Sequence, residues 1–198
     1  MTVRALRLLV AMVASGLFAT PSAWATTYAV DPDHTTVGFR IRHILSYVRG
    51  TFDTVEGTFD YVPNLPAQWK ASATIQAASI DTRVAKRDTH LRSNDFLDVE
   101  QYPTVTFKST GVTDATATGA KLQGVLTLHG VEKPVVLDLV IHGVAKDPWG
   151  KTRAAFTATT RVNRKDFGVS WNKLLETGQL LVGEEVDIIL EVEGIAQE

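Results

Sequence analysis

The sequence predicts an all-β fold, an antiparallel barrel or sandwich of about eight strands with one helical insertion. Three observations carry that expectation. Apolar side chains recur at every second position in run after run, the period of a half-buried strand. The runs are separated by short stretches of Gly, Pro, Asn and Asp, residues that supply turn geometry. Strand and helix signals do not alternate as a parallel βαβ sheet would require.

The clearest run is Lys121 to Val144, read as a hairpin. Leu122, Gly124, Leu126 and Leu128 share one parity, and Val135, Leu137, Leu139 and Ile141 share one on the return. Gln123, Thr127, Asp138 and His142 lie between them, with Val125, Val136 and Val140 softening the contrast. The segment His129 to Pro134 reads as the connector, Gly130 giving positive φ and Pro134 ending the pairing.

From the start, Tyr28 to Val30 is a short strand closed by the turn-forming Asp31-Pro32-Asp33-His34. In Thr35 to His43, Val37, Phe39 and Ile41 share a face. Val48 to Tyr61 reads as one long strand whose parity slips, so a bulge or bend is expected at Asp53-Thr54. Trp69 to Ala77 places Ala71, Ala73, Ile75 and Ala77 on one side. Ser79 to Asp98 breaks the rhythm: Asp81 or Thr82 can cap a helix over Val84 to Ser93, and Asn94 can end it. Strands resume at Thr104 to Gly111. After the hairpin and the turn Asp147 to Gly150, Arg153 to Asn163 carries Ala154, Phe156, Ala158 and Val162 on its apolar parity. Arg164 to Gly183 is irregular. Glu184 to Ile195 closes the chain with Val186, Ile188, Leu190 and Val192 facing in.

The chain of 198 residues is 44% hydrophobic and 21% charged with a formal charge of −2, values of an ordinary globular domain. Its first residues differ. Arg4 and Arg7 precede the apolar run Leu8 to Phe18, and Ala23-Trp24-Ala25 offers small residues at the two positions a signal peptidase reads. That apolar core is far shorter than the roughly 20 residues of a bilayer span. Residues 1–25 are therefore expected to be a signal peptide cleaved after Ala25, and 26–198 a single domain that does not span a membrane. Export to the periplasm or beyond follows. The sequence has no cysteine, which excludes disulfides, thiol catalysis and a lipid-modified N-terminal cysteine. A mildly acidic balance gives no reason to expect nucleic acid as a partner.

Several blocks resemble the YceI-like family: Asp31-Pro32-Asp33-His34-Thr35 with Phe39 and His43; Ser79-Ile80-Asp81-Thr82 with Arg87 to Arg92 and Asp95-Phe96; Tyr102-Pro103 with Phe107 to Thr110; Gly124 to Val131; and Asn163-Arg164 with Asp166-Phe167-Gly168. They run in order through nearly all of residues 31–192. The resemblance implies an extended antiparallel lipocalin-like β-barrel. It also implies an exported lipid-binding protein, often a homodimer and linked to stress responses, that holds a long isoprenoid such as a polyprenyl quinone precursor.

Barrels of about eight strands either fill with their own side chains or hold one slender ligand. Small residues at Ala71, Ala73, Ala77, Gly124, Ala154 and Ala158 argue for open volume; an alternation of small and large that merely suits the barrel's taper is the alternative. The expected lining for the lipid comprises Phe39, Ile41, Phe52, Phe59, Ala73, Ile75, Phe107, Leu126, Leu137, Leu139, Phe156 and Ala158. A polar head is expected at a mouth formed by Arg42, Arg83, Arg87, His90 and Trp171, where cations could meet a phosphate or phenol oxygen. Alternatively, Arg87, Asp88 and His90 pin the insertion to the barrel by ion pairs. No cofactor, metal or catalytic residue is expected. The five histidines lack metal-ligand spacing, and neither Gly-x-Ser-x-Gly nor a glycine-rich phosphate loop is present. The competing readings are an exported interaction protein with a filled barrel and, further off, a hydrolase.

Overall fold

The computed structural model describes residues 25–197. The expected signal peptide, apart from Ala25, thus lies outside the described residues.

The strands are β1 (Thr26–Val30), β2 (Thr36–His43), β3 (Ser46–Phe52), β4 (Val55–Tyr61), β5 (Lys70–Gln76) and β6 (Ile80–Asp81), then helix α1 (Ala85–Arg92). They continue with β7 (Thr104–Thr113), β8 (Gly119–Leu128), β9 (Val131–Lys146), β10 (Thr152–Asn163) and β11 (Val182–Ala196). Three pairs behave as single kinked staves. β1 and β2 are separated by a 3-10 turn at Pro32–His34, β3 and β4 by Asp53-Thr54, and β5 and β6 by a 3-10 turn at Ala77–Ser79. The first stave pairs with the second through β1–β4 and β2–β3, and the second with the third through β4–β5 and β3–β6. β11 closes the ring, its Val182–Glu191 part on β2 and its end on β1. The result is a closed antiparallel barrel of eight staves with one α-helix among the described residues, so the sandwich alternative falls away.

The kink at Asp53-Thr54 is where the parity slip placed it. The hairpin differs from expectation. His129 (φ 51°) and Gly130 (φ 72°) alone form the connector, a two-residue turn whose positive φ values match the twist of its strands. Lys133 and Pro134 are already paired with Leu126 and Val125. β10 joins β9 only from Asp138 onward, so Pro134 lies where β8 is its strand's sole partner, a position at which proline is tolerated. The helix also begins differently. Val84 occupies the capping position without a side-chain bond, while Asp88 reaches back to accept from the Thr82 N–H (2.9 Å) and hydroxyl.

Register places the apolar parity of every stave inside. Ala158 lies between Leu139 and Leu190, and Phe107 between Ala73 and Leu126. The opposite parity is mostly polar, with Lys121, Asp138, Arg161 and Glu191 on the outside beside exposed Val136, Val140 and Ile189. One end is plugged by aromatic rings: Tyr28 stacks on Phe59 (5.1 Å), and Phe156 stands edge-on to Phe59 (5.3 Å) and Tyr61 (5.0 Å). Beside this plug, the Arg153 guanidinium ties Asp31, Asp147 and Glu193 together.

Candidate functional site

Between the plug and α1 lies a cavity of about 720 Å³, within the usual size range of small-molecule sites. All twelve residues expected to line a lipid site border it: Phe39, Ile41, Phe52, Phe59, Ala73, Ile75, Phe107, Leu126, Leu137, Leu139, Phe156 and Ala158. Ala71 joins them, but three of the small residues do different work. Ala77 is buried in the 3-10 turn, Ala154 packs in the aromatic plug, and Gly124 lies under the Phe107 ring. A Cβ at Gly124 would stand 2.4 Å from that ring, and one at Gly50 would stand 2.5 Å from the ring of Phe39. These glycines are seats. They let two bulky rings lie against the barrel wall and leave the axis open.

At the end away from the plug, exposed Val84 and Lys86 are part of the lining, so the bore opens beside α1. Arg87, His90 and Trp171 border this mouth as expected. Trp171 packs against Phe96 (5.0 Å) and against the edge of His90 (4.9 Å), and His90 Nε2 hydrogen-bonds Asp95 (2.7 Å). Arg42 and Arg83 do not line the cavity. Arg42 turns to the Ile44 carbonyl (2.9 Å) and the Tyr47 ring, and Arg83 is an exposed residue at φ 64° whose N–H donates to Asp81. Parity already put Arg42 on the face opposite Val37, Phe39 and Ile41, whereas Arg83 lies outside any strand and has no parity to read.

Hydrogen bonds, rather than the ion pairs weighed for Asp88, hold the helical insertion. Arg87 donates to the Thr82 hydroxyl and carbonyl, and Arg92 to the carbonyls of Ala78 and Ile80. Burial alone would raise the Asp88 pKa. The two Thr82 hydrogen bonds and the nearby Arg92 and Arg87 charges outweigh it and hold the carboxyl below its ordinary value.

Arg164, for which no ligand-binding role was expected, lines the cavity while only 4% exposed. A local device puts it there. Asn163 caps a 3-10 turn over Arg164–Phe167 by accepting from the Lys165 N–H, and Gly168 at φ 79° ends it. The β2–β11 ladder breaks between Val182 and Val186, and within that break the Gly183 carbonyl accepts from Arg164 Nε (2.9 Å). The Val169 carbonyl accepts from Nη1 (2.8 Å). A signal was present: Arg164 continues the inward parity of Ala154, Phe156, Ala158 and Val162.

Asp31, His34 and Glu193 present ligand atoms within 4.8 Å of one another. Arg153 already donates to both carboxylates, so a guanidinium stands where a bound cation would have to sit.

A YceI-like domain model matches residues 28–194. The chain belongs to the YceI-like family. A relative from this family, protein YceI of Escherichia coli O17:K52:H18, is 41% identical over 93% of this chain and 94% of its own length. The crystal structure of the Campylobacter jejuni YCEI protein is 33% identical, covers 85% of this chain and 96% of that one, and superposes with a TM-score of 0.68. A polyisoprenoid binding domain from Saccharophagus degradans, 16% identical, covers 87% of this chain and 99% of that one with a TM-score of 0.65 and shares the YceI-like fold.

Proposed function

We propose that this YceI-like barrel is an exported carrier that holds the chain of a long isoprenoid or similar amphiphile in its bore, without converting it. The observation that carries this reading is the apolar cavity of about 720 Å³ running from the aromatic plug to an open mouth. The polyisoprenoid binding domain from Saccharophagus degradans, which shares the fold, supports the same ligand class. The energetics fit a long chain. Each buried CH₂ contributes about 0.8 kcal/mol, so roughly ten contribute about 8 kcal/mol, comparable with the roughly 4–15 kcal/mol cost of association. Longer chains would be retained and shorter ones released.

The arrangement of polarity supports a water-surrounded barrel. Charged side chains such as Lys121, Asp138, Arg161 and Glu191 decorate its outside, the reverse of the apolar outer band of a membrane-spanning barrel. Arg4 and Arg7, the apolar run Leu8 to Phe18 and the Ala23-Trp24-Ala25 sequence support export and a periplasmic or extracellular site of action, with transport, storage or a stress response as the use of the cargo.

The test is organic extraction of freshly purified protein followed by mass spectrometry. Near-stoichiometric recovery of a long-chain lipid is expected. Protein that yields no lipid and binds none when it is supplied would refute the reading.

A further inference from the structure

Arg164 carries the one buried side-chain nitrogen or oxygen among the described residues that finds no hydrogen-bond partner. Its Nε and Nη1 are tied to the Gly183 and Val169 carbonyls, and its Nη2 has no acceptor. No carboxylate pairs with it either; Glu184, the acid whose charge bears on it, forms its ion pair with Lys165. A guanidinium with one nitrogen lacking an acceptor and no counter-ion, enclosed at the wall of an apolar cavity, is costly unless something else supplies the acceptor. Burial also pushes its pKa down, against the pull of the Glu184 charge. A guanidinium this basic still remains protonated at neutral pH.

From this juxtaposition of an unpaired buried cation and an apolar bore, we infer that the ligand is an acidic amphiphile whose carboxylate or phosphate oxygen is taken by Arg164. The inference deepens the lipid-holding reading and rests on it. It moves the head from the helical cluster to the wall, where Arg164 follows Ala158, Thr160 and Val162 on the inward parity of β10. The three residues of the mouth cluster are already committed, Arg87 to Thr82, His90 to Asp95 and Trp171 to the rings beside it. Arg164 Nη2 is sealed from water-sized contact, so a small shift of the side chain over it must accompany the incoming oxygen. The geometry suits oxygen anions: a guanidinium edge gives directed, charge-assisted hydrogen bonds to carboxylate and phosphate alike.

The test is displacement of a fluorescent reporter from delipidated protein by palmitate, hexadecyl phosphate and hexadecanol, which share one chain length. At least one of the two acids should bind about tenfold or more tighter than the alcohol, the size of one charge-assisted hydrogen bond. Whichever acid gains more identifies the head. Arg164→Met should bring acid and alcohol close to parity while still binding the alcohol, and Arg164→Lys should restore part of the preference. Equal binding of all three compounds by the wild-type protein would overturn the inference, even if the Met variant fails to fold. A preference surviving intact in a folded Arg164→Met would overturn it too. Binding of none of the three would reject the lipid-holding reading itself, an outcome distinct from chain binding without head preference.

Discussion

At the scale of single residues, the bore stays open because Gly124 and Gly50 give the Phe107 and Phe39 rings somewhere to lie. A methyl group at Gly124 would meet Phe107 at 2.4 Å and the Lys108 carbonyl at 2.7 Å, and the carbonyl belongs to the barrel ladder. Gly124→Ala should therefore do two things. It should lower stability by about 1–3 kcal/mol, the usual cost of overpacking, seen as a lower urea midpoint. It should also tip the Phe107 ring into the lumen and reduce lipid occupancy; unchanged stability and occupancy would show that the seat is unnecessary. The inward direction of Gly124 was legible from its parity with Leu122 and Leu126. Its cover was not, because Phe107 lies on another strand and only the register of β7 against β8 brings the two together. Arg164 was legible by the same parity but falls at the start of the irregular stretch Arg164 to Gly183, where the alternation stops.

Among the elements, three of the barrel's eight staves are kinked, and an ionic latch sits beside the first kink. Arg153, at the start of β10, joins Asp31 between β1 and β2, Asp147 in the turn after β9, and Glu193 on β11. Hydrogen bonds from Arg153 are the main cause holding the Asp31 and Asp147 carboxyls below their ordinary value. Both carboxyls bind protons less readily folded than unfolded. Their contribution is complete above the ordinary carboxylate pKa of about 4 and drains away as pH falls through the lower folded-state values. Arg153→Met should be less stable at neutral pH and should lose less stability on acidification. Urea midpoints from about pH 7 down to about pH 2 would show this as converging curves, whereas parallel curves would mean that the latch is not the acid-sensitive part. The kink at Asp53-Thr54 was readable, because Phe52 and Val55 cannot share a face of one regular strand. The hairpin connector was not, because Pro134 looks like a terminator unless the late arrival of β10 is known. β6 was lost for a different reason: two residues are too few to show a period.

For the whole molecule, the inside-apolar, outside-polar pattern was written in the alternation itself, and closure rather than sandwiching followed from the family resemblance. Whether the closed barrel would be hollow depended on how five aromatic side chains pack at one end and two lie flat along the wall, a three-dimensional outcome that parity does not contain. The cavity narrows to a testable point at Ala158, which is buried midway along β10 between Leu139 and Leu190. A tryptophan there would project a large ring across the bore. The decisive measurement is native mass spectrometry of the wild-type protein beside Ala158→Trp, both shown by circular dichroism to keep their β-structure. The wild-type population should carry the mass of one long-chain lipid, and the variant population should be stripped of it. Equal lipid occupancy in a folded Ala158→Trp would contradict the claim that the chain threads this bore.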